Sequence, residues 1–68
     1  MKIELNETNI KIIVNLHWFF NDYKNVVKWL KTDNLNFGGI PPVILIENSR
    51  GSKLLKFIET ALEENGKI

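Results

Sequence analysis

Two glycines followed closely by two prolines form the stretch that most constrains the fold, Gly38-Gly39-Ile40-Pro41-Pro42. Glycine adopts positive φ at little steric cost. Proline fixes φ near about −65° and removes a backbone donor. The stretch therefore predicts an elbow of defined shape between two helices.

Three apolar residues lie within or beside this elbow: Leu35, Phe37 and Ile40. Their apolar character predicts that the elbow packs down on the core instead of extending into solvent. The glycines, Pro42 and the Trp29-Leu30 pair before them are interpreted as residues that fix the fold.

Apolar residues spaced three and four apart predict two helices before the elbow. The first is expected to begin near Thr8 and to break at Asn21-Asp22, with Val14 and Trp18 outside its main apolar face. Asp22 is the expected N-cap of the second helix, which should run to about Thr32. The inward side chains of that helix are expected to be Tyr23, Val26, Val27 and Leu30.

The four apolar residues after the elbow, 43–46, suit a buried strand or a short helix, and periodicity alone does not separate the two. A helix is expected, because a lone strand in a helical chain has no partner. Asn48 or Ser49 is the expected cap of a final helix that ends near Gly66. Its apolar face comprises Gly51, Leu54, Leu55, Ile58, Ala61 and Leu62, and Gly51 is expected to be small because another segment crosses there.

These elements predict an all-α fold: a small four-helix domain with a Gly-Gly/Pro-Pro elbow and a short third helix. The helical domain is expected to span residues 8–68. Residues 1–7 are expected to form an N-terminal arm, for which the alternation of Ile3 and Leu5 with Lys2 and Glu4 leaves open a short strand or an extended segment.

The residue types argue against catalysis and against a cofactor or metal. The chain has no cysteine and one histidine, and no carboxylate lies within one helical turn of His17. A general acid or base needs a positioned partner, so no catalytic residue is assigned. Gly38-Gly39 lacks the spacing of a nucleotide-binding loop. The chain is therefore expected not to be an enzyme.

Charge and hydropathy limit the classes of partner and the cellular locations that the sequence favours. The 68 residues carry a net charge of +1, with basic and acidic residues interleaved, so nucleic acid is an unfavoured partner. In a rival interpretation, Lys24, Lys28, Lys31 and Lys53 form a nucleic-acid surface. No apolar run is long enough for a membrane span and no signal sequence is evident, so a cytoplasmic location is expected.

Three aromatic side chains, Trp18, Phe37 and Phe57, do not all fit the helical stripes. Either they complete a tight core, or they form an exposed apolar patch of the kind that marks protein interaction. Both readings are open at this point. A chain this short buries only about 60% of its unfolded surface, which favours a stabilising protein partner or a homodimer.

The order of motifs from Asp22 onward resembles the C-terminal toxin-binding domain of the Xre/MbcA/ParS class of bacterial antitoxins. The motifs that carry this resemblance are Trp29-Leu30, Asn34-Leu35, Gly38-Gly39-Ile40-Pro41-Pro42, Val43–Ile46 and Asn48–Gly51 followed by Leu54-Leu55. Pro41 departs from the pattern, because the family usually has Ser or Thr there. Members commonly carry an N-terminal helix-turn-helix domain, for which this sequence has no room, so DNA binding is not carried over.

The resemblance implies a module that binds a cognate toxin, often a RES-domain enzyme that consumes NAD⁺, and blocks its active site. In the family, the C-terminal part of the antitoxin lies at or near the substrate entrance. Together with the unplaced aromatic residues, this gives the expected partner-binding set of Trp18, Phe37, Phe57, Lys67 and Ile68.

Overall fold

The computed structural model describes residues 2–68, and within them it contains four α-helices and no strand. The helices are α1 (Glu7–Phe20), α2 (Tyr23–Lys31), α3 (Val43–Glu47) and α4 (Gly51–Glu64), with a single 3₁₀ turn, Leu35–Phe37, between α2 and α3. The predicted all-α class and the short third helix are confirmed. None of the helices in this range has the length and apolar character that a membrane span requires.

Short polar residues set the boundaries of α1 and α2. The Asn6 side chain accepts a hydrogen bond from the Asn9 backbone N–H at 2.8 Å, so α1 begins at Glu7, one residue before the predicted start. Asn21 ends α1 with φ 56°. The Asp22 side chain then accepts from the Lys24 N–H at 2.9 Å, which confirms Asp22 as the N-cap of α2.

The core is built from all four helices, and its members are fully or almost fully buried. They are Ile12 and Leu16 of α1, Val26 and Leu30 of α2, Val43 and Leu45 of α3, and Leu54 and Ile58 of α4. The prediction that Tyr23 points inward is wrong, because it is 59% exposed. Tyr23 lies in the first turn of α2, beyond the buried pair Val26 and Leu30, where its ring lies near Ile13 and the arm residues Ile3 and Leu5.

Helices α1 and α4 run in the same direction along each other. Gly51, the first residue of α4, lies against Asn9 near the start of α1, whereas Trp18 near the end of α1 shares a groove with Leu62 near the end of α4. A methyl group on Gly51 would lie 2.9 Å from Asn9 Oδ1. This contact confirms that Gly51 is small because another segment crosses there.

The elbow is a closed loop held by its own backbone. The Gly39 N–H donates to the Asn34 carbonyl at 3.0 Å, and the Asn34 N–H donates to the Ile40 carbonyl at 3.1 Å. Gly38 and Gly39 have φ of 77° and 85°, as predicted. These bonds fix the angle at which the chain leaves α2 and enters α3.

Only part of the apolar content of the elbow packs on the core. Phe37 is half-buried against it, but Leu35 is 94% exposed and Ile40 is 38% exposed, so the prediction is wrong for Leu35 and for Ile40. For Leu35 the reason is the 3₁₀ turn: with about three residues per turn, side chains two positions apart point in different directions.

Gly39→Ala is expected to lower the free energy of unfolding by about 1–2 kcal/mol, because an L-residue disfavours left-handed backbone. A Cβ at this position has open space around it, so the loss is conformational and not steric. Urea denaturation followed by circular dichroism measures it. Gly39→Asn is the matched control and should lose less, since asparagine tolerates this conformation better. Equal losses for the two variants would contradict the explanation.

The connection between α3 and α4 differs from the prediction. Neither Asn48 nor Ser49 caps α4; Arg50 occupies the cap position, and no side chain there accepts a hydrogen bond. Ser49 has φ 62°, and the Arg50 N–H donates back to the Leu45 carbonyl at 2.7 Å. These residues therefore serve to end α3. At the far end of α4 the prediction is confirmed, since Gly66 has φ 67° and donates to the Leu62 carbonyl at 3.1 Å.

Candidate protein-interaction surfaces

The side of α1 that faces away from the core carries a row of apolar side chains. Ile10, Val14 and Trp18 all rank among the exposed large hydrophobic residues, and Trp18 is 75% exposed. Their spacing of four residues places them in one row along the helix, on the side opposite the buried Ile12 and Leu16. We call these three residues the α1 row. Lys11 and His17 are also exposed on α1, so the α1 row is an apolar stripe within a partly polar outer surface.

A groove of about 470 Å³ runs between the α1 row and α4. We call it the α1–α4 groove, and its lining residues are Val14, Asn15, Trp18, Glu59, Leu62 and Glu63. Three of its lining side chains are apolar, and both charged residues in its lining are acidic. Within residues 2–68 the one ion pair joins Lys11 Nζ to Glu7 Oε1 at 3.1 Å, so Glu59 and Glu63 have no cationic partner in that range.

On the other side of Trp18 lies a wider depression of about 840 Å³, which contains the single histidine. Its lining comprises Ile13, Val14, His17, Trp18, Phe19 and Asn21. His17 is exposed and this lining includes no carboxylate. No carboxylate of this lining therefore orients the imidazole for proton transfer.

A second apolar surface is formed by aromatic residues from three elements. The rings of Trp29 and Phe37 meet edge to face at 6.4 Å between centroids, and those of Phe37 and Phe57 do so at 4.9 Å. Phe37 and Phe57 line a groove of about 420 Å³, with Lys53, Lys56 and Glu64 also in its lining. We call this the Phe37–Phe57 groove. All three rings are half-buried, so they contribute to the fold as well as to the surface.

The five residues expected to bind a partner do not form one site. Trp18 lies in the α1–α4 groove, whereas Phe37 and Phe57 line the other groove. Helical geometry places the Leu62 and Phe57 sides of α4 on opposite flanks of its buried Leu54–Ile58 face. Lys67 is exposed, and Ile68 is partly buried against the core.

The residues expected to fix the fold occupy positions consistent with that role. Leu30 and Pro42 are fully buried, and Trp29 packs against the core. Gly38 and Gly39 have positive φ, and Gly51 makes the close approach to α1.

Sequence reasoning missed several residues of the α1 row and of the α1–α4 groove, namely Ile10, Val14, Glu59, Leu62 and Glu63. Val14 was recognised as lying off the main face of α1, and its spacing from Ile10 and Trp18 is a signal that could have defined the row. Glu59 and Glu63 are both exposed on α4. Their four-residue spacing places them together, but only the packing of α4 on α1 brings them to Trp18.

The lysines of the rival nucleic-acid interpretation are divided between two places. Lys24, Lys28 and Lys31 are exposed along α2, with spacings of four and three that give them one face. Lys53 instead lines the Phe37–Phe57 groove on α4. The basic residues of α2 thus form a short row.

The described part of the chain has two surface grooves with apolar lining residues. It has no metal centre. No group of three or more His, Cys, Asp or Glu side chains within residues 2–68 is placed to hold a metal ion. No family model, curated protein or solved structure matches the chain. The two grooves are therefore the features from which a function can be argued.

Proposed function

We propose that this chain is an antitoxin-like binding module that neutralises a cognate toxin by covering the toxin's active site. The observation that carries the proposal is the α1 row, in which Trp18 is 75% exposed beside exposed Val14 and Ile10. Tryptophan is enriched among residues that dominate binding energy at protein interfaces. The resemblance of residues 22–66 to antitoxin toxin-binding domains supplies the class of partner, a RES-domain enzyme that consumes NAD⁺.

The mechanism in this proposal is steric occlusion. Trp18 acts as the central anchor on one flank of α4, and the Phe37–Phe57 groove with Lys67 and Ile68 forms a second contact on the other flank. The elbow contributes rigidity, since its backbone hydrogen bonds hold Phe37 in place before binding. A preorganised surface loses less conformational entropy when it binds.

Co-expression with the product of the adjacent gene tests the proposal. A complex that survives purification at micromolar concentration, and in which NAD⁺ consumption by the partner is suppressed, is the expected result. If the two proteins do not associate at that concentration, the proposal is wrong. If the isolated chain instead sediments as a dimer that requires Trp18, the α1 row serves self-association.

Trp18→Ala is expected to weaken binding of the toxin about 30-fold, because truncating an interface anchor costs about 2 kcal/mol or more. Isothermal titration calorimetry with the purified partner measures the change. The matched control is Leu35→Ala, which removes an even more exposed apolar side chain on a different element. The control should leave the affinity unchanged, and an equal loss in both variants would count against Trp18 as the anchor.

A further inference from the structure

We infer that the α1–α4 groove binds a basic amphipathic helix, with an apolar side chain of that helix on Trp18 and Leu62 and a Lys or Arg side chain on Glu59 and Glu63. The inference rests on the proposed function for the identity of the protein that supplies the helix, and it adds the chemistry by which that helix is recognised. It follows from the apolar side chains in the lining of the groove, from the charge of that lining, and from the placement of the charged residues on α4.

The apolar lining of the groove suits one apolar side chain of a helix. Val14 and Trp18 lie on one wall and Leu62 on the other, and Trp18 offers an exposed aromatic face. A helix that lies in such a groove contacts it through residues three and four apart.

The charge of the groove selects a basic partner. Both charged residues in the lining are carboxylates, Glu59 and Glu63, and neither forms an ion pair within residues 2–68. An approaching acidic helix would place like charges together, whereas a basic one supplies the missing cations. An arginine guanidinium binds a carboxylate through its planar fork of donors.

The placement of these carboxylates lowers the stability of the free chain. Glu59 and Glu63 are four residues apart on α4, a spacing at which like charges destabilise a helix. The last turn of α4 contains acidic Glu63 and Glu64 and no basic residue, although the dipole of a helix favours positive charge at that end. A basic partner helix would weaken both the repulsion between Glu59 and Glu63 and the unfavourable interaction of the acidic last turn with the helix dipole.

The test uses the full chain labelled with ¹⁵N and two synthetic amphipathic peptides. One peptide carries leucines on one helical face and arginines on the other, and the second has glutamate in place of every arginine. The chain contains two tryptophans, so its indole N–H resonances report on two places at once. The arginine peptide is expected to shift the Trp18 resonance and to leave that of half-buried Trp29 in place, and the glutamate peptide is expected to shift neither.

The double variant Glu59→Gln/Glu63→Gln is expected to raise the Kd for the arginine peptide at least tenfold, while its thermal midpoint stays the same or rises. The matched control, Asp33→Asn/Glu47→Gln, removes the same net charge at two exposed residues outside the groove lining. It should leave the Kd within twofold of that of the parent chain.

Three results with the peptides would overturn the inference: equal affinity for the two peptides, an equal change in Kd for the two double variants, or a shift of Trp29 alone. A toxin that binds the Glu59→Gln/Glu63→Gln variant as tightly as the parent also overturns it, but leaves the proposed function intact. If the arginine peptide binds as described and no toxin associates, the groove chemistry stands and the proposed function fails.

Discussion

Leu54→Ala is expected to lower the free energy of unfolding by about 2–5 kcal/mol, the range for a large side chain removed from a packed core. Leu54 is fully buried at the contact of α4 with the rest of the core. A chain of this size is stabilised by only about 3–10 kcal/mol in total. The variant should therefore retain little stability, which urea denaturation followed by far-ultraviolet circular dichroism measures.

The control for this variant is Leu35→Ala, which deletes the same atoms from a side chain that is 94% exposed. Surface substitutions of this kind usually change stability by less than about 0.5 kcal/mol. A loss below about 1 kcal/mol for Leu54→Ala would mean that the core collapses around the missing atoms. In that case α4 would contribute less to the core than its burial indicates.

Gly51→Val is the second variant with a large expected effect, a loss of about 2–5 kcal/mol from overpacking and a disrupted buried polar contact. The new Cβ would lie 2.9 Å from Asn9 Oδ1 and 3.6 Å from Thr8 Cγ2. Asn9 is buried, and its Nδ2 donates to the Glu4 carbonyl at 2.9 Å. Its side chain therefore cannot move away without giving up the hydrogen bond that holds the N-terminal arm.

A double-mutant cycle distinguishes the effect of the contact with Asn9 from a general intolerance of substitution at the first residue of α4. Gly51→Ala is measured in the parent chain and again in an Asn9→Ala background, in which the clashing oxygen is absent. The penalty should shrink or reverse in that background, because alanine otherwise stabilises a helix by about 0.5–1 kcal/mol relative to glycine. Additive effects of the two substitutions would show that the close contact with Asn9 is not the cause.

Features that depend on a few neighbouring residues could be predicted from the sequence. The Asp22 cap, the positive φ of Gly38 and Gly39, and the C-terminal Gly66 each follow from the conformational preference of one residue type in a local context. The small size of Gly51 was also predicted, although the segment that crosses it was not. The all-α class followed from apolar spacing, and the four helices lie close to their expected bounds.

Features that depend on packing between helices could not be predicted in this way. Tyr23 has the spacing of an inward residue, but α2 makes its core contact through Val26 and Leu30. Leu35 is apolar and exposed because the 3₁₀ turn directs Phe37, and not Leu35, to the core. Ser49 resembles a helix cap by residue type, yet its backbone ends α3 with φ 62°.

The candidate surfaces likewise combine features that the sequence could predict with features that it could not. The exposed position of Trp18 was one of two readings left open by the sequence, and Phe37 and Phe57 fall between those readings because they are half-buried. The association of Trp18 with Glu59 and Glu63 depends on the parallel course of α1 and α4. No local pattern in the sequence contains that information.

The pairing of the first helix with the last has a consequence for biosynthesis. A polypeptide is synthesised from its amino terminus, so α1 is made before α4. At about 5–20 residues per second, the segment between Phe20 and Gly51 takes a few seconds to translate, and Ile12 and Leu16 lack their α4 neighbours for that time. The part of the core that α1 contributes is therefore completed only after α4 has been synthesised.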